Sequence, residues 1–266
     1  MPGPRAGKAL GAVESAIVVF FLLRYTEFVI IPDKKAEELP LTGTPDMNGQ
    51  TQPCGVQVLR LGCQRGERLL FSNININLGA GSALVLTGPN GAGKTSLLRI
   101  LAGLLRADAG TVKILPFDDE RALGQSSCFV GGRDALKQGL TPRETLMFQL
   151  SLMADPVRPH ADVTHADMII QAAIGAFGLD ALAEMPNGWL SSGQRKRVAL
   201  ARLILCGMSR PLWLLDEPTN ALDAQACAHL AAVVAIHRRQ GGIVIAATHQ
   251  PLGWPDAAEL RLGETS

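Results

Sequence analysis

The 266 residues predict an α/β fold with a mostly parallel core sheet, an antiparallel β portion and an α-helical insertion. Three observations carry this reading. The apolar run Ala83-Leu84-Val85-Leu86-Thr87 leads into Gly88-Pro89-Asn90-Gly91-Ala92-Gly93-Lys94-Thr95, and Ser96-Leu97-Leu98-Arg99-Ile100-Leu101 follows with helical pattern. Strand, G-x-x-x-x-G-K-[ST] loop and helix in that order describe a phosphate-binding loop. Apolar runs at 211–215 and 242–247 alternate with helical stretches at 193–206 and 224–240, the layout of a parallel sheet covered on both faces. Residues 56–61 and 74–78 alternate apolar and polar instead, as half-buried antiparallel strands do.

Composition narrows the function. Hydrophobic residues make up 47% of the chain, enough for a sizeable core. A formal charge of +1 provides no broad basic field, which argues against nucleic acid as a partner. The five cysteines (Cys54, Cys63, Cys128, Cys206, Cys227) are scattered, odd in number and without a C-x-x-C pair. They read as free thiols in a reducing compartment, not as a disulfide frame or zinc site.

Taken in order, residues 1–52 are an N-terminal extension and 53–266 the globular domain. The extension holds an apolar run at 16–23, but Arg24 and Glu27 interrupt it before Phe28-Val29-Ile30-Ile31. That falls short of the roughly twenty apolar residues of a spanning helix, and no small-residue cleavage site follows. The expectation is a poorly ordered extension, or one lying upstream of a true start at Met47, with a membrane-surface anchor as the alternative. Next come the strands at 56–61 and 74–78, with 67–70 near their turn. Gly103 and Gly110 bracket a loop into a strand at 111–114, and 127–130 is a further core strand. The helical insertion covers about 140–190. Its apolar positions are Leu146, Phe148, Leu150 and Leu152, then Met168 to Phe177, broken at Asp155-Pro156 and Arg158-Pro159-His160. His160, Asp162, His165 and Asp167 lack tight ligand spacing and read as a solvated loop entering a helix. Helix 193–206 carries Arg195, Lys196 and Arg197 on its expected exposed side. Strand 211–215, a helix from Ala224 capped by Asp223, and strand 242–247 complete the pattern.

Glycines let backbone N–H groups of the loop face a polyphosphate, and the following helix presents its positive end to the same anion. Lys94 reaches the β/γ-phosphates of a nucleotide and the Thr95 hydroxyl ligates Mg²⁺. Asp216 and Glu217 end an apolar strand far downstream. The first suits a carboxylate that holds Mg²⁺ through its water shell; the second can polarise an attacking water as general base. Leu190-Ser191-Ser192-Gly193-Gln194 lies directly before a helix. It is either simple capping or a second anion site that completes a partner subunit's nucleotide across a two-fold axis.

These segments, with Leu215-Asp216-Glu217-Pro218, Asn220-Ala221-Leu222-Asp223 and His249, stand in the order found in ABC-type ATP-binding cassettes, and the resemblance spans roughly 56–263. It implies a P-loop NTPase cassette with a parallel core sheet, an antiparallel β subdomain and an α-helical subdomain, binding ATP and Mg²⁺. Leu190 to Gln194 is then the signature motif, Ser192, Gly193 and Gln194 closing on the opposite subunit's ATP. Asp223 belongs to the D-loop, and His249 is the switch histidine at the γ-phosphate. More narrowly, 189–202, 211–223 and Thr248-His249-Gln250-Pro251-Leu252-Gly253 are similar to the cytochrome c maturation, haem-exporter-type ATP-binding subunits. That family implies a homodimer of ATPase subunits, a membrane permease partner, and a peripheral place on the cytoplasmic face of the bacterial inner membrane. An ATP-gated assembly factor with little turnover, or a cassette for another cargo, are the alternatives. Two positions depart from the cassette pattern: Gly132 occupies the Q-loop position, and Arg65 replaces the aromatic that usually stacks on adenine.

Overall fold

The computed structural model describes residues 54–115, 122–132, 134–153, 163–254 and 256–263. The extension 1–52, Arg133, the breaks at 155–156 and 158–160, and Asp162 lie outside them. The described residues form two compact units, one from 134–207 and 220–233, the other from 54–132, 208–219 and 234–263.

The second unit holds two sheets. β1 (Gly55–Arg65), β2 (Arg68–Gly79) and β4 (Ala109–Leu115) form an antiparallel sheet in the order β2-β1-β4. Its strands run longer than the alternation indicated. The β1–β2 turn is only Gly66 and Glu67, so 68–70 are strand and not turn, and Gly110 sits inside β4 and not in a loop before it. β3 (Ala83–Thr87), β5 (Ser127–Val130), β6 (Leu212–Asp216), β7 (Ile243–Ala247) and β8 (Ala258–Arg261) form a parallel sheet in the order β5-β6-β7-β3-β8. Every residue of β6 and β7 is buried, which is why both read as unbroken apolar runs. β8 has no such signal. It is a four-residue edge strand, Ala-Glu-Leu-Arg, largely exposed, and only its pairing with β3 defines it.

Helix α1 (Lys94–Leu101) follows the glycine-rich loop and inserts Leu97, Leu98 and Leu101 into the core with no exposed surface. Each buried leucine contributes roughly 1.5–3 kcal/mol, so the loop rests on a rigid support. A short α2 (Ala122–Ser126), not anticipated from the sequence, precedes β5.

The first unit is helical. α3 (Pro142–Leu152), α4 (Val163–Ala176) and α5 (Ser192–Cys206) pack on one another, and the first turns of α6 (Ala224–Arg239) belong to the same unit. Helical geometry sorts the expected apolar positions of α3. Leu146 and Leu150, four apart, are buried; Phe148 and Leu152 are 47% and 68% exposed. Ile169, Ile170, Ala173, Ile174 and Phe177 fill the core beside them. α5 corrects one expectation. Lys196 is buried, at 2% exposure, while Arg195 and Arg197 are half-buried. A lysine stem is long enough to lie among apolar neighbours while its ammonium finds a polar one. Among the described residues no helix is long and apolar enough to cross a membrane. All five cysteines are free thiols.

Candidate functional site: a nucleotide-binding cavity

Parallel strands put their carboxyl ends on one edge of a sheet, and β3, β6 and β7 deliver the site there. β3 runs into the glycine-rich loop, β6 ends at Asp216 and is followed by Glu217, and β7 is followed by Thr248 and His249. The loop conformation depends on its glycines. Gly88 has φ +125°, and a Cβ there would collide with the Leu262 carbonyl. Gly93, with φ +98°, caps α1, and a Cβ there would lie 2.9 Å from the Phe71 ring. An alanine at either position is therefore strained twice, by conformation and by space.

Lys94 is 8% exposed. Its ammonium donates to the carbonyls of Gly88 at 2.6 Å and Pro89 at 3.1 Å, and lies 3.2 Å from His249 Nε2. Those carbonyls hold the charge over the loop, with the lysine stem buried beneath. The Thr95 hydroxyl donates to Asp216, 3.0 Å from Oδ2 and 3.2 Å from Oδ1. This joins the first turn of α1 to the end of β6. The pair offers hydroxyl and carboxylate oxygen, the hard donors that suit Mg²⁺ alongside phosphate and water.

Glu217 adopts φ +46°, a left-handed conformation costly for a residue with a Cβ, and its N–H donates to Ala247 O at 2.8 Å. The chain thus turns sharply after β6 while staying tied to the end of β7. His249 Nε2 lies 3.0 Å from Asn90 Oδ1 and 3.6 Å from Glu217 Oε1. One ring nitrogen cannot accept from Lys94 and donate to Asn90 in the same tautomer. His249 therefore stands between the two, and which of them it bonds follows from its tautomer. A Cβ on Gly132 would lie 3.7 Å from Asp216 Oδ2, so the missing side chain leaves space beside the carboxylate.

A cavity of about 510 Å³ runs through this cluster, lined by Asn90, Gly91, Gly93, Lys94, Thr95, Asp216, Glu217 and His249. Arg65, Arg68, Leu70 and Ser96 complete its wall. Of the loop residues expected at the nucleotide, Gly88, Pro89 and Ala92 shape the loop without lining the cavity: Ala92 is buried and its N–H donates to Pro89 O at 3.2 Å. Arg68 and Leu70 were not anticipated. Both lie on a strand where turn residues were expected, and exposure alternation alone does not mark a cavity wall. A larger cavity of about 690 Å³ adjoins His249, lined by the 248–254 loop with β3 and β8; Lys94, Asp216 and Glu217 do not line it.

In the helical unit, α5 begins inside the Leu190–Gln194 segment rather than after it. The Ser191 hydroxyl accepts from Gln194 N–H at 3.2 Å, and the Gln194 side-chain carbonyl accepts from Ser191 N–H at 2.8 Å. This reciprocal capping box leaves Ser192 and Gly193 in the first helical turn, with Ser192 exposed. A Cβ on Gly193 would collide with the Ala221 carbonyl, which the φ of +64° at Ala221 directs there. Asp223 caps α6, accepting from Ala226 N–H at 2.7 Å. Arg195 donates to Leu190 O at 2.6 Å, which leaves its side chain half-buried.

The model of the ABC transporter family matches residues 71–220. The cytochrome c biogenesis ATP-binding export protein CcmA of Rhizobium johnstonii is 44% identical over 207 residues, covering 76% of this chain and 91% of that protein. The CcmA protein of Rhodopseudomonas palustris is 45% identical over 204 residues, covering 76% and 95%. Among solved structures, the dimeric post-hydrolysis state of the ATP-binding cassette MJ0796 bound to ADP and phosphate superposes with a TM-score of 0.68. It is 23% identical and covers 78% of this chain and 94% of that one, so it speaks for the fold. An inward-facing metal-chelate-type ABC transporter gives a TM-score of 0.63 at 26% identity, covering 79% of each chain. With its cavity at the carboxyl ends of three parallel strands and a capped Leu190–Gln194 segment in a separate helical unit, this chain belongs to the ABC transporter family, among the cytochrome c biogenesis ATP-binding export proteins.

Proposed function

We propose that two copies of this chain bind and hydrolyse ATP, and that the resulting change of shape drives a membrane permease in c-type cytochrome assembly. One observation carries the reading: Lys94, Thr95, Asp216, Glu217 and His249, from three segments of sequence, line a single cavity. The triphosphate lies along the loop 88–95, with Lys94 redirected from the Gly88 and Pro89 carbonyls toward the β- and γ-phosphates. Thr95 and Asp216 hold Mg²⁺, which when bound neutralises charge on the phosphate oxygens. Glu217 accepts a proton from the water that attacks the γ-phosphorus, and His249, 3.6 Å from Glu217 Oε1, contacts the same phosphate. Ser192, Gly193 and Gln194 of the second copy close over the γ-phosphate, the exposed Ser192 N-terminal turn supplying N–H donors.

The permease partner is supported by the helical unit, where Met147, Phe148 and Leu152 of α3 are exposed large apolar side chains. The relatives' name supports an export role, and haem is the cargo we assign. A permease-bound cassette resides peripherally on the cytoplasmic face of the bacterial inner membrane. The second reading, an ATP-gated assembly factor with little turnover, is favoured by Gly132, which has no side chain to place beside Asp216.

Glu217→Gln separates the two. Removing a general base lowers ATP hydrolysis by about a hundredfold or more while ATP binding persists and the dimer accumulates. Equal and negligible phosphate release by both proteins would sink the hydrolase reading and leave the assembly factor.

A further inference from the structure

We propose that Arg195 is a positioning residue for the ATP reaction: held by Asp134, it pins the Leu190 carbonyl and so sets where the Ser192 turn meets the second copy's nucleotide. The inference rests on the reading that two copies close on ATP through Ser192, Gly193 and Gln194. It concerns two side chains that touch no nucleotide in that reading.

The start of α5 creates the need. The first bond of its ladder runs from Arg195 N–H to Ser191 O at 2.9 Å, so the Leu190 carbonyl lies outside the helix and requires a partner elsewhere. Ser191 and Gln194 are already spent on the capping box. Arg195 supplies the donor, its Nη1 lying 2.6 Å from Leu190 O in a short charge-assisted bond. This sets a cation at the start of a helix whose first turn holds no acidic residue, where the helix dipole opposes it. Asp134 offsets that cost. Its Oδ2 lies 3.7 Å from Arg195 Nε, and the pair is partly shielded, at 22% and 36% exposure.

The segment that carries Asp134 is fastened to the same turn. Asn187, fully buried, donates from its N–H to Leu140 O at 2.8 Å. Its side-chain amide donates to Lys137 O at 3.1 Å and to the Thr145 hydroxyl at 2.8 Å. Gly188 N–H donates to Gln138 O at 2.9 Å. Residues 134–140 therefore grip the stretch before α5 at both ends, through Asn187 at its entry and through Arg195 at its exit. All of these residues lie in the helical unit. A turn that presents N–H groups to another molecule's phosphate tolerates little drift, since a misplacement of about 1 Å can cost a hundredfold in rate. Releasing Arg195 frees the Leu190 carbonyl and leaves the cavity at the glycine-rich loop intact, because neither Arg195 nor Asp134 lines it.

The test measures two affinities in the Glu217→Gln background, which suppresses hydrolysis. One is MgATP binding at protein concentrations too low for dimers; the other is ATP-driven dimerisation, followed by sedimentation. Arg195→Ala should weaken dimerisation by about tenfold or more and leave the monomer's affinity for ATP unchanged. Asp134→Asn should weaken it in the same direction by about two- to fivefold. Combined with Arg195→Ala, Asp134→Asn should cost nothing further, because the carboxylate acts only through the guanidinium. A side chain that merely stabilised the helix would lower the melting temperature without moving the dimerisation constant. That result for Arg195→Ala, or an equal loss of ATP affinity in the monomer, overturns the proposal. If Arg195→Ala does not fold, Asp134→Asn decides alone, and dimerisation as tight as that of the Glu217→Gln chain rejects the assignment. Failure of the Glu217→Gln chain itself to dimerise with ATP would instead remove the two-copy reading on which the proposal stands.

Discussion

His237 shows how much a single side chain can demand of its surroundings. Its ring is fully buried and stacks on Trp213 with centroids 3.7 Å apart and planes 7° from parallel. Nε2 lies 3.1 Å from the Pro211 carbonyl and donates to it, while Nδ1 is buried without a partner. Burial pushes the imidazole pKa down to about 3, outweighing the backbone bonds at Pro211 and Ile243 that raise it. The folded protein therefore keeps this ring neutral where the unfolded chain, titrating near 6.5, takes up a proton. Stability from this site is full above about pH 6.5 and is lost as pH falls toward 3. A His237→Phe chain retains the stack, and Pro211 O still accepts from Ile243 N–H at 2.8 Å. Urea unfolding at pH 7 and pH 5 should show a smaller loss for this variant than for wild type; an equal loss would assign the acid sensitivity elsewhere. Nothing near His237 in the sequence marks it, because its environment is made by β6 and by Gly242, where a Cβ would collide with the ring. Lys94, Asp216 and Glu217, by contrast, were legible as soon as the loop and the apolar strand before them were read.

At the scale of elements, boundaries follow from local chemistry. Thr141 opens α3 with a capping box: its hydroxyl accepts from Glu144 N–H at 3.2 Å, and Glu144 Oε2 accepts from Thr141 N–H at 2.8 Å. Pro142 fills the first helical position, where a missing N–H costs nothing. Thr141→Ala should lower unfolding free energy by about 1 kcal/mol, measured by denaturant titration, with α3 retained by circular dichroism. No change would mean that Pro142 and tertiary packing alone set the helix start. The same box at Ser191 and Gln194 gives that segment a structural part besides the one proposed at ATP. Elements lacking such signals were missed or misplaced for physical reasons. β8 is short and exposed, so its sequence has no periodicity to read. The β1–β2 turn was placed too late because Arg68 and Leu69 are exposed on both sides of the pleat, and only backbone pairing with Gln64 and Arg65 shows them as strand.

For the whole molecule the question is what the ATPase cycle serves. If the chain powers an exporter for c-type cytochrome assembly, deleting its gene should abolish haem staining of c-type cytochromes. Complementation with wild type should restore it, and complementation with Glu217→Gln should not. Normal staining in the deletion strain would remove the cytochrome role while leaving the ATPase intact. Sequence alone determined the α/β class, the glycine-rich loop between a strand and a helix, the apolar strand that ends at Asp216, and the family. Each of these is a local pattern, because a loop that wraps phosphate needs glycines, lysine and a helix at fixed spacing. Only the tertiary structure decided that Arg65 and Arg68 face the same cavity, that Lys196 is buried, and that Gly193 must yield to Ala221. These are consequences of backbone segments meeting from distant parts of the chain, or of one residue's register against another, and such meetings leave no periodic trace in the residues that take part.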